Sequence, residues 1–161
     1  MEIFFQMFLR CLNRYTRVAI VPLRSFAHTT VSSTDHNSAA KICQEYGRRM
    51  KAHLVRAESG EVLNLLDELM QKHQIQPIPI NYLLAMQAIN HSKQRNDADR
   101  LHNLITQQPS LMNDGQIQIG LVYMYAVAIG DIFHAEKLAA DFEKPHINIY
   151  STLMTVSELT E

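Results

Sequence analysis

Leucines recur along this chain at a spacing that few folds can satisfy. Leu65, Leu101 and Leu138 are 36 and 37 residues apart, and Leu84, Leu121 and Leu153 are 37 and 32 apart. The first set lies in amphipathic stretches that read as second helices of successive pairs, the second set in the helices between them. A single helix pair cannot bury its apolar face, so pairs at fixed spacing must pack on their neighbours. The spacing therefore predicts an all-α solenoid. Composition agrees. Five glycines and five prolines in 161 residues are too few for a turn-rich sandwich, and 47% apolar residues suffice for a core. No pair of alternating runs flanks a hairpin turn.

From Ser38 onward, Ile42, Tyr46, Met50 and Leu54 recur every four residues as one apolar helix face, which Gly60 breaks. Ser59 is the expected N-cap of a second helix with Glu61 in its first turn. Its stripe is Val62, Leu65, Leu66 and Leu69, and Pro77 and Pro79 end it. A third helix is expected over 81–91. A fourth follows a cap at Asn96 and is stopped by Pro109. A fifth runs from Gly115 to Gly130, and a sixth from Asp131 to Pro145, with Ala135, Leu138, Ala139 and Phe142 facing the core. One more is expected over 149–159. The fifth has no charge between Asp114 and Asp131, but its apolar stretch 117–129 is too short for the ~20 residues of a membrane span. It reads as a helix buried on most sides.

Met124-Tyr125-Ala126, then Gly130-Asp131, then Ala135 and Leu138, resemble the pentatricopeptide repeat. So does the junction Lys144-Pro145-His146-Ile147-Asn148-Ile149-Tyr150-Ser151-Thr152-Leu153-Met154. Leu65-Leu66-Asp67-Glu68-Leu69 through Pro77 is similar to the second half of an earlier repeat, and Arg100-Leu101-His102-Asn103-Leu104-Ile105 to the second helix of the plant-type long repeat. The resemblance spans about 40–161. Between Met124 and Gly130 the chain has one residue more than the plant-type pattern. The tetratricopeptide repeat has nearly the same period, but its tryptophan and Leu-Gly signature are missing. The resemblance implies a right-handed superhelix of antiparallel helix pairs, here about three hairpins and a final helix. The first helices would line a concave face along which single-stranded RNA threads.

In such repeats a base is read by a side chain near the start of the first helix together with one at the repeat's end. Carried over by the Lys-Pro-His junction, the helix positions are Leu83, Ile119 and Ser151. The repeat-end positions are Asp114, paired with Leu83, and His146, paired with Ile119. Leu83 and Ile119 cannot hydrogen-bond a base edge. Ser151 can, but its partner position lies beyond residue 161. A concave face presenting Leu83 and Ile119 suits an apolar protein partner, which makes a protein-binding adaptor the alternative reading. A third is a fragment of a longer array, because terminal repeats usually carry a polar capping helix.

Charge divides the chain. The total of 15 basic and 16 acidic residues is close to neutral, yet residues 1–34 hold Arg10, Arg14, Arg17 and Arg24 against Glu2 alone. The remainder is left with 11 basic and 15 acidic residues. Arg10, Arg14 and Arg17 fall on one helical stripe, with Phe4, Phe8, Cys11 or Leu12, and Tyr15 on another. A Ser/Thr-rich, acid-poor stretch follows. This is the composition of an organellar transit peptide, and Arg24-Ser25-Phe26-Ala27 resembles a mitochondrial processing site. The expected location is the mitochondrial matrix. In the acidic remainder, Lys41, Arg48, Arg49, Lys51 and Arg56 crowd the first helix, with Arg49, His53 and Arg56 as a stripe. That stripe is either an RNA-phosphate contact or an ordinary solvated face.

Nothing in the sequence points to catalysis. A deaminase tail would need His-x-Glu and Pro-Cys-x-x-Cys, and Cys11 and Cys43 are the only cysteines. The histidines lack metal-ligand spacing, Asp97 and Asp99 read as first-turn charges, and Cys43 as a half-buried thiol. No metal or cofactor is expected. The expected function is non-enzymatic binding of single-stranded organellar RNA in processing or stabilisation. For the leader, changing Arg10, Arg14 and Arg17 to Gln in a fluorescent fusion should abolish mitochondrial import, scored by microscopy.

Overall fold

Residues 33–158 are described by the computed structural model. Every regular element among them is helical. The leader up to residue 32, with its arginine stripe and processing site, lies outside the described residues. The elements are α1 (Ser33–Val55), α2 (Ser59–Gln71), α3 (Pro79–Ser92), α4 (Arg95–Thr106), the single turn α5 (Pro109–Met112), α6 (Gly115–Tyr123) continued by a π-helical stretch Met124–Ile129, α7 (Ile132–Asp141) and α8 (Asn148–Glu158).

The amphipathic elements bury the stripes the spacing predicts. α2 buries Val62, Leu63, Leu65, Leu66 and Leu69, and α7 buries Ala135, Leu138 and Ala139. By contrast, α3 is buried continuously from Asn81 to Ile89, and α6 with its π extension buries Ile117, Gln118, Leu121, Val122, Met124 and Tyr125. Helices apolar on all sides need neighbours on several sides. α3 packs against α1, α2, α4 and α6, and α6 with its extension packs against α3, α7 and α8. Among the described residues no helix is long and apolar enough to cross a membrane.

The helix ends differ from the expected ones. α1 starts at Ser33 rather than Ser38 and stops at Val55, ahead of Gly60. The break is made by Ala57 in the left-handed region (φ 59), with the Glu58 N–H donating to the His53 carbonyl at 3.0 Å. Ser59 is the first residue of α2 and not its cap, because Glu58 occupies that position without a side-chain bond. α2 ends at Gln71, well before Pro77, and Pro79 opens α3, where the absent N–H costs no hydrogen bond. Gln94, not Asn96, sits at the cap of α4. Asp131 caps α7, its carboxylate accepting the His134 N–H at 2.9 Å, and Asp114, expected only as a repeat-end position, caps α6. The core face of α1 is also rotated. Cys43, Tyr46 and Met50 are buried while Ile42 and Leu54 are only half-buried, so the thiol is a full core group rather than a half-buried one. Burial pushes its pKa up.

At Gly120 α6 lies close against α3. A Cβ there would lie 2.5 Å from Met86 Sδ and 3.4 Å from Leu83 Cδ2, both buried. Gly60, in the first turn of α2, has nothing within 4 Å of the same atom. Gly60→Ala should therefore stabilise by about 0.5–1 kcal/mol through the unfolded chain. Gly120→Ala should destabilise by about 1–3 kcal/mol by overpacking. Urea unfolding of the two variants measures both signs.

Candidate nucleic-acid interface

Lys41, Arg48, Arg49, Lys51 and Arg56 are all exposed. Helical periodicity spreads the first four along α1. Arg56 does not continue them. It lies in the turn after Val55, so the expected stripe of Arg49, His53 and Arg56 is broken there. His53 is engaged elsewhere, with Nδ1 2.6 Å from Glu58 Oε2. Arg48 pairs with Glu45 at 3.0 Å, an exposed contact of little energetic weight. The Arg49 guanidinium lies over the Tyr46 ring, 4.9 Å from its centre. Tyr46 in turn holds His73 Nε2 at 2.8 Å through its hydroxyl. Arg49 is thus braced on an aromatic face, a posture that keeps the cation outward.

The base-reading positions fare differently. Leu83 is 3% exposed, within the core between α3 and α6, and offers no edge to a base. Ile119 is half-buried. Asp114 spends Oδ1 on the start of α6, accepting the Gln116 N–H at 2.8 Å and the Ile117 N–H at 3.3 Å. The His146 N–H donates to Gln118 Oε1 at 3.0 Å, and its Nδ1 accepts the Asn148 N–H at 3.3 Å. Its ring covers Gly115, where a Cβ would come within 2.6 Å of Cδ2. Ser151 is exposed, its hydroxyl donating to the Asn148 carbonyl at 2.9 Å. The structure brings His146 together with Gly115 and Gln118 at the start of α6. Sequence reasoning missed Gln118 because a polar residue in an apolar run reads only as an interruption. It also donates Nε2 to the Met112 carbonyl at 2.9 Å, joining three segments.

A second polar group, unforeseen in the sequence, forms where the π stretch meets α4 and α7. The Tyr125 hydroxyl donates to Asp99 Oδ1 at 2.9 Å and lies 3.3 Å from His102 Nδ1. The Tyr125 ring tilts on His134 with centroids 4.3 Å apart, and His102 faces His134 at 6.1 Å. Arg95 reaches Asp131 at 2.6 Å and Asp99 at 3.8 Å. Burial, then the hydrogen bond to Asp99, holds the Tyr125 proton on far above the ordinary phenol range. The His134 backbone N–H and the Arg95 guanidinium keep Asp131 ionised below its usual range. Burial, then the facing His134, pushes His102 down. A protonated phenol, a neutral imidazole and two carboxylates reached by Arg95 thus meet in one joint. Among the described residues no three His, Cys, Asp or Glu side chains are arranged to hold a metal ion.

The His102 shift has a sign. Its folded pKa is below the unfolded value near 6.5, so the unfolded chain takes up the proton first. The stability it contributes is complete above pH 6.5 and is lost as pH falls through the depressed folded pKa. Thermal melts from neutral pH downward should show this loss, and His102→Gln should reduce it. Tyr125→Phe should cost about 1 kcal/mol at neutral pH. No family model, curated protein or solved structure matches the chain.

Proposed function

We propose that the chain from residue 35 onward forms a right-handed solenoid of antiparallel helix pairs of pentatricopeptide type, acting by binding rather than catalysis in the mitochondrial matrix. Its ligand is single-stranded RNA, held through backbone phosphates along α1. The observation that carries this reading is the exposure of Lys41, Arg48, Arg49 and Lys51 on one helix of an otherwise acidic unit. The pairing is supported by the packing of α1 on α2 and α3, and of α3 on α4 and α6. The surplus residue before Gly130 has a natural place in the π stretch. There the Gly130 N–H reaches the Tyr125 carbonyl five residues back, a bond that takes up one residue without breaking the helix. The leader composition supports the location.

The buried Leu83 and aliphatic Ile119 imply that binding is independent of sequence. Only the half-buried Ile119 is left to support the second reading, an adaptor with a protein ligand, because Leu83 lies in the core and presents nothing to a partner. Salt titration separates the two. Single-strand binding weakens with salt at a log–log slope of about −0.7 per phosphate neutralised. The full chain should give a measurable slope with mixed-sequence RNA. Changing Lys41, Arg48 and Lys51 together to Ala should flatten it by about 2. Comparing variant with parent removes the leader arginines from the result. An unchanged slope, or no binding at about 50 mM salt, would sink the RNA reading.

A further inference from the structure

One cation on α1 is held unlike the others. Helical periodicity sets Arg49 between Tyr46, on the buried face of α1, and Lys41 and Arg48 on its outer face. The Tyr46 ring is 5% exposed, and the Arg49 guanidinium lies over it, 4.9 Å from its centre. The ring is itself fixed. Its hydroxyl holds His73 Nε2 at 2.8 Å, and the two rings meet edge to face with centroids 5.4 Å apart. Arg48, the residue before, spends its charge on Glu45 at 3.0 Å, with no ring beneath it among the described residues.

Arg49 is also left without a counter-ion. No carboxylate among the described residues comes within ion-pair distance of it. Glu68 of α2 is taken by Lys72 Nζ at 2.7 Å. That hydrogen bond first, and with smaller effect the charge of Arg49, holds Glu68 below the usual carboxylate range. Arg49 thus keeps its charge uncompensated, one guanidinium face on Tyr46 and the other toward solvent. A guanidinium is planar and weakly hydrated, and it stacks on aromatic faces. Its N–H donors lie in the plane, at the rim. A carboxylate or phosphate engages that rim and leaves the outer face bare, whereas a flat π-system fits the face.

We propose that the outer face of Arg49 is a stacking platform for a base of single-stranded RNA. This role rests on the RNA reading and gives Arg49 a task beyond phosphate contact. A strand whose phosphates follow Lys41 and Arg48 has its bases free to turn toward the flanking Arg49. Stacking accepts every base, since each has a π-face. The contact therefore adds affinity without the base selection that Leu83 and Ile119 cannot supply. Because Tyr46 and His73 hold the platform beforehand, little side-chain freedom is lost when a base lands on it.

Arg49→Lys keeps the charge and removes the plane. In the full chain it should weaken binding of oligouridine about fivefold or more, the low end for one lost stacked base. The loss should be the same at every salt concentration, with the salt slope unchanged. An abasic ribose–phosphate oligomer of equal length carries the same charge without bases, and its affinity should not change. Arg48→Lys should leave both affinities as they are. Equal losses with the two oligomers, or no loss with either, overturn the stacking role and leave the RNA reading standing. Failure of the parent chain to bind either oligomer at about 50 mM salt overturns both.

Discussion

At Gly120 the backbone of α6 lies so close to Met86 and Leu83 on α3 that a single added methyl would collide. The rest of the unit depends on this approach. α3 and α6 are apolar on nearly every side, so neither is stable in water alone, and each must be enclosed by others. α3 is enclosed by α1, α2, α4 and α6, and α6 with its extension by α3, α7 and α8. Amphipathic helices such as α2 and α7 have one face to satisfy. The two uncharged helices have several, and so they dictate how many neighbours gather and where.

Two buried amides hold the connections in place. Asn81 Nδ2 donates to the Cys43 carbonyl at 3.1 Å, and Oδ1 accepts the Ile78 N–H at 3.1 Å, tying α1 to the entry of α3. Gln118 does the same for α6, joining the Met112 carbonyl to the His146 N–H. Each amide satisfies backbone groups that a connection would otherwise leave unpaired in the interior. The joint around Tyr125 plays a related part where the π stretch crosses α4 and α7. These polar ties give the core its register, while the leucines and methionines supply most of the burial.

The surfaces left over divide the functional question. α1 presents cations in an acidic unit, and α8 presents an apolar face without charge. Between them, Leu83 has gone into the core, Asp114 into a helix cap, and His146 into covering Gly115. Each of these three side chains is thus engaged within the fold.

Periodicity made the helices legible: the buried stripes of α2 and α7, the burial of α6 on most sides, and the cap Asp131 follow from local residue order, because amphipathic spacing and capping act within a turn or two. The breaks were less legible. Glycine and proline marked the expected ends, yet Ala57, Gln74 and Lys93 take the left-handed turns after α1, α2 and α3, a conformation a non-glycine residue holds only when surrounding packing repays its strain. The candidate site was least legible. Arg49, His53 and Arg56 form a stripe only on an uninterrupted helix, and the helix ends before Arg56. Tyr125, His102, His134 and Asp99 lie on three different elements and meet where the π stretch packs against α4 and α7. By itself the sequence determined that this chain is helical, where its apolar faces lie and how its charge is divided. Tertiary structure alone decided which polar groups meet and which apolar face stays exposed, because those depend on contacts between residues some 20–40 positions apart, a range over which local propensity carries no information.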